Sequence, residues 1–237
     1  MNLNRYLITL TCLAAATVVA AASEPRPYTI RLNDFNELRV RGPINVDHRI
    51  STDSAGMVVY EAPSEMVPWI EASCKKGKMK INVEVPKEHA GATGLPTIRV
   101  YSTSLLKVEN ESDSAVRVLS GLISPTFSAK VIGNGLISVR SVKAPDVECA
   151  VMAGRGQLVI SGECDNASMS LAGTGTIQAD ALKASNVSCY CTGTGSVGVS
   201  AAKTLTLRGA GSSTVYYTGD PVINKKIAVG LKLERLE

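Results

Sequence analysis

Five Gly-x-Gly triplets recur at an interval near twenty residues, and that interval constrains the fold more than any other feature of the chain. They are Gly133-Asn134-Gly135, Gly154-Arg155-Gly156, Gly173-Thr174-Gly175, Gly193-Thr194-Gly195 and Gly209-Ala210-Gly211, with successive steps of 21, 19, 20 and 16 residues. A fixed period of this length marks a stacked repeat in which each unit buries its apolar face only against its neighbours.

The residues around the triplets say what kind of repeat it is. Apolar residues alternate before them, at Phe127, Ala129 and Val131, at Val147, Cys149 and Val151, at Ala167, Met169 and Leu171, at Val187, Cys189 and Cys191, and at Leu205 and Leu207. The rhythm resumes after them at Ile137 and Val139, Leu158 and Ile160, Ile177 and Ala179, and Val197 and Val199. Period-two alternation is the mark of a strand with one buried face, and no window sustains helical spacing. Leucine-rich repeats share the period but need a Leu-x-x-Leu-x-Leu pattern that is missing here. The expected fold is therefore all-β, a parallel β-solenoid with two short strands per repeat joined by a Gly-x-Gly corner. Coils would stack at about 4.8 Å with like residues in inward ladders. The ten triplet glycines are expected to be structural turn residues, supplying positive φ and room for neighbouring coils. Ser112-Asp113-Ser114 occupies the corner position of one further coil upstream.

Four segments follow from these patterns. Residues 1–22 hold Arg5, an apolar run from Tyr6 to Val19 and then Ala20-Ala21-Ala22, the make-up of a secretory signal peptide cleaved after Ala22. Threonines interrupt that run, which argues against a membrane-spanning helix. Residues 23–104 are β-rich but irregular, with strands expected within Tyr28 to Leu32, Leu38 to Ile50, Met57 to Tyr60, Trp69 to Cys74, Met79 to Val85 and Thr97 to Tyr101. They form either an uneven first half of the solenoid or a cap on it. Residues 105–221 carry the regular repeats. Residues 222–237 end the chain, with Ile227 to Leu233 as one last alternating strand.

Charge and composition exclude several functions. The chain carries 25 basic and 21 acidic residues; removing the leader takes away Arg5 alone and leaves a formal charge of +3. So mild an excess, with 4% aromatic residues, does not suit nucleic-acid binding. Gly193-Thr194-Gly195-Ser196-Val197-Gly198 imitates a dinucleotide fingerprint, but a strand follows it where the phosphate site needs a helix. Calcium-binding β-rolls need an aspartate after each triplet and a nine-residue period, and both are missing. No cofactor and no metal are expected.

Five cysteines outlast the leader, Cys74, Cys149, Cys164, Cys189 and Cys191, an odd number that cannot all pair within one chain. Cys189 and Cys191 fall on the inward alternation as small hydrophobes. A Cys149–Cys189 bridge would skip a coil and span about 9–10 Å, too far for a disulfide. Cys164 reads as a turn residue open to outside reaction. His48 and His89 read as exposed loop or strand-edge histidines.

At this point the residues resemble a known family. Phe35-Asn36-Glu37-Leu38-Arg39-Val40-Arg41-Gly42 with Ile44-Asn45-Val46, then Gly77-Lys78-Met79-Lys80-Ile81, and the last triplet with Val215-Tyr216-Tyr217-Thr218-Gly219-Asp220-Pro221, are similar to the bacterial head GIN domain family of auto-transporter adhesins. The resemblance runs from Tyr28 to Pro221. It implies a right-handed parallel β-helix in two consecutive halves, in proteins exported by bacteria, often of the Bacteroides group, to the periplasm, the outer-membrane surface or the exterior. It supplies no catalytic residues. Relatives often close with another glycine triplet, whereas Ile227-Ala228-Val229-Gly230 shows none.

Three functions remain in play. The first is a non-enzymatic adhesin or surface-binding module for a glycan or a surface protein. The second is a polysaccharide-cleaving enzyme using Glu109 or Glu111 with Lys80 or His89. The third is an envelope module that assembles with copies of itself through the solenoid ends.

Overall fold

In a computed structural model, which describes residues 23–91 and 94–236, the chain is a parallel β-solenoid built almost wholly from strands. The expected leader, residues 1–22, lies outside the described residues. The first part holds β1 (Arg26–Arg31), β2 (Glu37–Arg41), β3 (Asn45–Ile50), β4 (Met57–Ala62), β5 (Ile70–Lys75), β6 (Lys78–Val83) and β7 (Thr97–Ser102). β8 (Lys107–Glu111), β9 (Ala115–Val118), β10 (Leu122–Ile123) and β11 (Thr126–Ile132) follow. Four long strands come next, β12 (Leu136–Met152), β13 (Gln157–Gly173), β14 (Thr176–Gly193) and β15 (Ser196–Ala210). The chain ends with β16 (Thr214–Thr218), β17 (Val222–Val229) and β18 (Lys232–Arg235).

Two long parallel ladders run the length of the molecule. On one face the rungs are β6, β2, β8, β11, the second parts of β12, β13, β14 and β15, and β17. On the other they are β7, β3, β9, the first parts of β12 to β15, β16 and β18. Each long strand therefore runs from triplet to triplet, where two short strands were expected. A register shift in its middle carries it across a third, narrow face, at Val142–Ala144, Gly162–Cys164 and Leu182–Ala184. Cys164 sits within β13 on that face, between Ala144 and Ala184, and not in a turn.

Inside, like stacks on like. Val131, Val151, Leu171 and Cys191 form one continuous column, and Ile137, Leu158, Ile177, Val197 and Val215 another. All nine are fully buried. Cys149, Met169 and Cys189 fill consecutive rungs of a third column, so Met169 separates the two sulfurs. All five described cysteines are free thiols.

The corners show why two glycines are used. Gly154 has φ +70°, in the left-handed region, whereas Gly195 does not. At Gly195 the requirement is contact: an added Cβ would lie 2.0 Å from the Gly175 carbonyl oxygen of the coil below. That oxygen already accepts the Ser196 N–H at 3.2 Å, so the coils cannot separate without losing the corner hydrogen bond. Positive φ is thus only half of the glycine argument. At the upstream corner, buried Asn110 does comparable work with its side chain: its amide donates to the Ser114 and Leu136 carbonyls and accepts from Ser112.

The first part of the chain is interlaced. The β2–β3 coil, first in sequence, lies between the β6–β7 coil and the β8–β9 coil. β5 pairs antiparallel with β6, and β4 pairs antiparallel with both β7 and β1. These antiparallel strands cover the end that the parallel rungs would otherwise expose. The opposite end finishes with an extra coil, β17 and β18, where a single alternating strand over Ile227 to Leu233 was expected. Gly230 turns between them with φ +75° above Gly211, so the corner persists without a triplet. Lys225 tops the column of Leu207, Cys189 and Met169, and the register of β17 breaks just after it. An exposed charge at the end of that column and a bulge on the last rung both disfavour further strand pairing.

Candidate functional site

Alternation leaves the outer side of the β6 to β17 face flat and continuous, with parallel columns of outward residues. One column runs Lys78, Glu37, Lys107, Ser128, Glu148, Ser168, Ser188 and Thr206. The next runs Lys80, Arg39, Glu109, Lys130, Ala150, Ser170, Tyr190 and Arg208. The face is thus ionic over its first rungs and mostly small and polar over the rest, where Glu148, Tyr190 and Arg208 are the large exceptions in these two columns.

The polar part borders a shallow groove of about 510 Å³. Its edge is a ladder of side-chain hydrogen bonds: Asn166 Nδ2 donates to Asp146 Oδ1 at 2.9 Å, Asn186 Nδ2 to Asn166 Oδ1 at 3.1 Å, and Thr204 Oγ1 to Asn186 Oδ1 at 2.9 Å. Each amide spends its oxygen and one N–H on this ladder, leaving a second N–H per rung. Repetition at twenty residues could have revealed the ladder, since Asp146, Asn166 and Asn186 are equally spaced.

In the ionic part the carboxylates lie low and the cations stand above them. Glu111 is held by Arg39 and by Arg41, whose Nη2 and Nε lie 2.7 and 3.0 Å from one Glu111 oxygen. Lys107 Nζ lies 2.9 Å from Glu109 and Lys78 Nζ 2.9 Å from Glu37. The side chains of Glu109 and Glu111 are 16% and 13% exposed, against 41% for Arg39 and 62% for Arg41. Burial by itself would raise the Glu111 pKa, but hydrogen bonds from Arg41 and Arg39, with their charges, outweigh it and hold the carboxyl below its usual range.

The residues proposed for bond cleavage are only partly united. Lys80, Glu109 and Glu111 line one groove of about 330 Å³, but His89 is not part of it and packs beside Trp69, with ring centroids 5.2 Å apart. An acid catalyst needs a carboxyl that keeps its proton near neutrality, and Glu111 is shifted the other way.

His48 is not exposed, contrary to expectation. It fills an inward rung between Val100 and Val118 and is 0% exposed. Ser102 Oγ donates to the Ser104 carbonyl at 2.7 Å, so His48 Nε2 donates to Ser102 at 2.8 Å, and Nδ1 has no partner among the described residues. Burial pushes the His48 pKa down to about 4, against the opposing charge of Asp34. With Ser102 equally buried, this pair has no path to a substrate. The buried thiols are pushed up, Cys191 to about 11 by loss of solvation, and half-buried Cys164 to about 11 by loss of solvation and then by Asp165 and Asp146. Among the described residues no three His, Cys, Asp or Glu side chains converge as a metal cage would require, and no helix is long and apolar enough to cross a membrane.

Known proteins share this architecture. A solved structure described as a "putative adhesin" from Bacteroides fragilis superposes with a TM-score of 0.81 at 19% identity, covering 90% of this chain and 97% of that one. A "putative adhesin" from Parabacteroides distasonis gives 0.73 at 19% identity, covering 90% and 98%. A "putative lipid binding protein" from the same species gives 0.69 at 18% identity, covering 90% and 97%. At such identities the likeness concerns the fold. No curated protein matches the chain. The family model described as "Putative auto-transporter adhesin, head GIN domain" matches residues 34–221, and the chain belongs to that family.

Proposed function

We propose that this protein is an exported, non-enzymatic adhesin that binds a glycan or a surface protein across the broad face of the solenoid. The observation that carries the reading is the outward column Ser128, Glu148, Ser168, Ser188 and Thr206 beside the Asn166–Asn186 ladder, a flat polar strip presented rung after rung. Such a surface makes many weak contacts in register, and linking weak contacts multiplies affinity without a deep pocket. The family description and the leader-like residues 1–22 support export.

Ser168→Glu with Ser188→Glu tests the proposal, because both side chains are exposed and neither faces the core. Cell attachment and glycan-array signal should fall while the melting temperature holds. Unchanged attachment would remove the face from the function. The cleavage reading is tested by Glu111→Gln, for which loss of turnover on any glycan would favour an enzyme.

A further inference from the structure

We propose that the ionic rungs form a landing strip for a linear acidic polysaccharide, one whose sugars carry repeated carboxylate or sulfate groups. This deepens the adhesin reading and rests on it.

Six cations, Lys78, Lys80, Arg39, Arg41, Lys107 and Lys130, share four successive rungs with three carboxylates, Glu37, Glu109 and Glu111. The excess is three positive charges, as large as that of the whole mature chain. The vertical arrangement matters as much as the count. Low-lying Glu111 fixes both guanidinium groups from beneath, so Arg39 and Arg41 are held in place with their outer sides free for an incoming anion. Lys80 and Lys130 make no ion pair among the described residues and flank this core along the solenoid axis. They lie three rungs apart, about 14 Å at the spacing of hydrogen-bonded strands.

That geometry favours a chain over a single small anion. Each exposed cation contributes little by itself, because solvent and salt screen it. A polymer with anionic groups at regular intervals, laid along the axis, meets charge after charge, and its affinity should grow with length. Nucleic acid fits less well: the exposed aromatic residue of this face, Tyr190, is four rungs beyond Glu109, so the basic rungs offer bases nothing to stack on.

The test uses fluorescence anisotropy of the full chain with labelled polygalacturonate and heparin oligosaccharides, neutral dextran, and a single-stranded oligodeoxynucleotide of matched charge. The acidic glycans should bind, more tightly with length and less tightly with added salt, and dextran should not; comparing the two acidic glycans separates carboxylate from sulfate preference. Lys80→Ala with Lys130→Ala should weaken binding roughly tenfold. Lys143→Ala with Lys183→Ala, which removes the same charge from the third face, should leave it unchanged. Equal losses from both pairs, or an oligodeoxynucleotide that binds as tightly as the glycans, would overturn the proposal. If acidic glycans fail to bind while the chain still attaches to cells, the landing strip falls and the adhesin reading stands; if attachment fails too, both fall.

Discussion

The buried His48 makes stability depend on pH in a window where most side chains are silent. In the unfolded chain its imidazole takes a proton near pH 6.5, whereas in the folded chain burial delays this until about pH 4. Between those values the unfolded state holds the extra proton, so stability falls as the solution is acidified and levels off below about pH 4. Lowering the pKa from 6.5 to about 4 corresponds to about 3 kcal/mol in total, of which about 2 kcal/mol is lost by pH 5. The carboxyl groups with lowered pKa values, Asp34, Glu65 and Glu111, act at the acid end instead: they favour folding above their unfolded pKa and lose that contribution as pH falls through the folded one. The interval from pH 6.5 to 5 therefore isolates the histidine. Urea unfolding at pH 7 and pH 5 should show the drop in the wild type, and His48→Gln, which cannot titrate, should flatten it. Parallel losses in both proteins would refute the argument and place the pH dependence elsewhere.

Two further outcomes follow from the corners and the core. Gly195→Ala should destabilise the fold by about 1–3 kcal/mol because its methyl group would meet the Gly175 carbonyl, whereas Gly121→Ala, in open space, should stay within about 0.5 kcal/mol; thermal melts distinguish them. Of the five described cysteines in the native protein, a thiol reagent should label only Cys74 and Cys164, and slowly, with Cys149, Cys189 and Cys191 reacting after denaturation; rapid native labelling of Cys189 would contradict the packing.

The repeat region was readable because each of its signals is local: alternation around Val151, Leu171 and Cys191 names the inward column, and the glycines mark the corners. The third face was not, since Val142–Ala144 and Gly162–Cys164 are too short for alternation to register and the strand passes through them unbroken. His48 could have been placed correctly, because Val46, His48 and Ile50 alternate, but the polarity of its ring outweighed its position. The ionic rungs escaped for a different reason. Arg39, Lys80 and Glu109 are far apart in sequence and become neighbours only through the interlaced order of the first coils, which no twenty-residue period announces.

That interlacing bears on how the molecule can assemble itself. From β11 to β15 each rung can add to the one just made, with contacts about twenty residues apart such as Asn166 to Asp146. The β2 rung must instead wait for chain on both sides of it, and its Arg41 meets Glu111 seventy residues later. Closing so long a loop is slow, so a chain delivered amino end first holds its opening segment in reserve, and the landing strip is completed only when that segment slots home between two later ones.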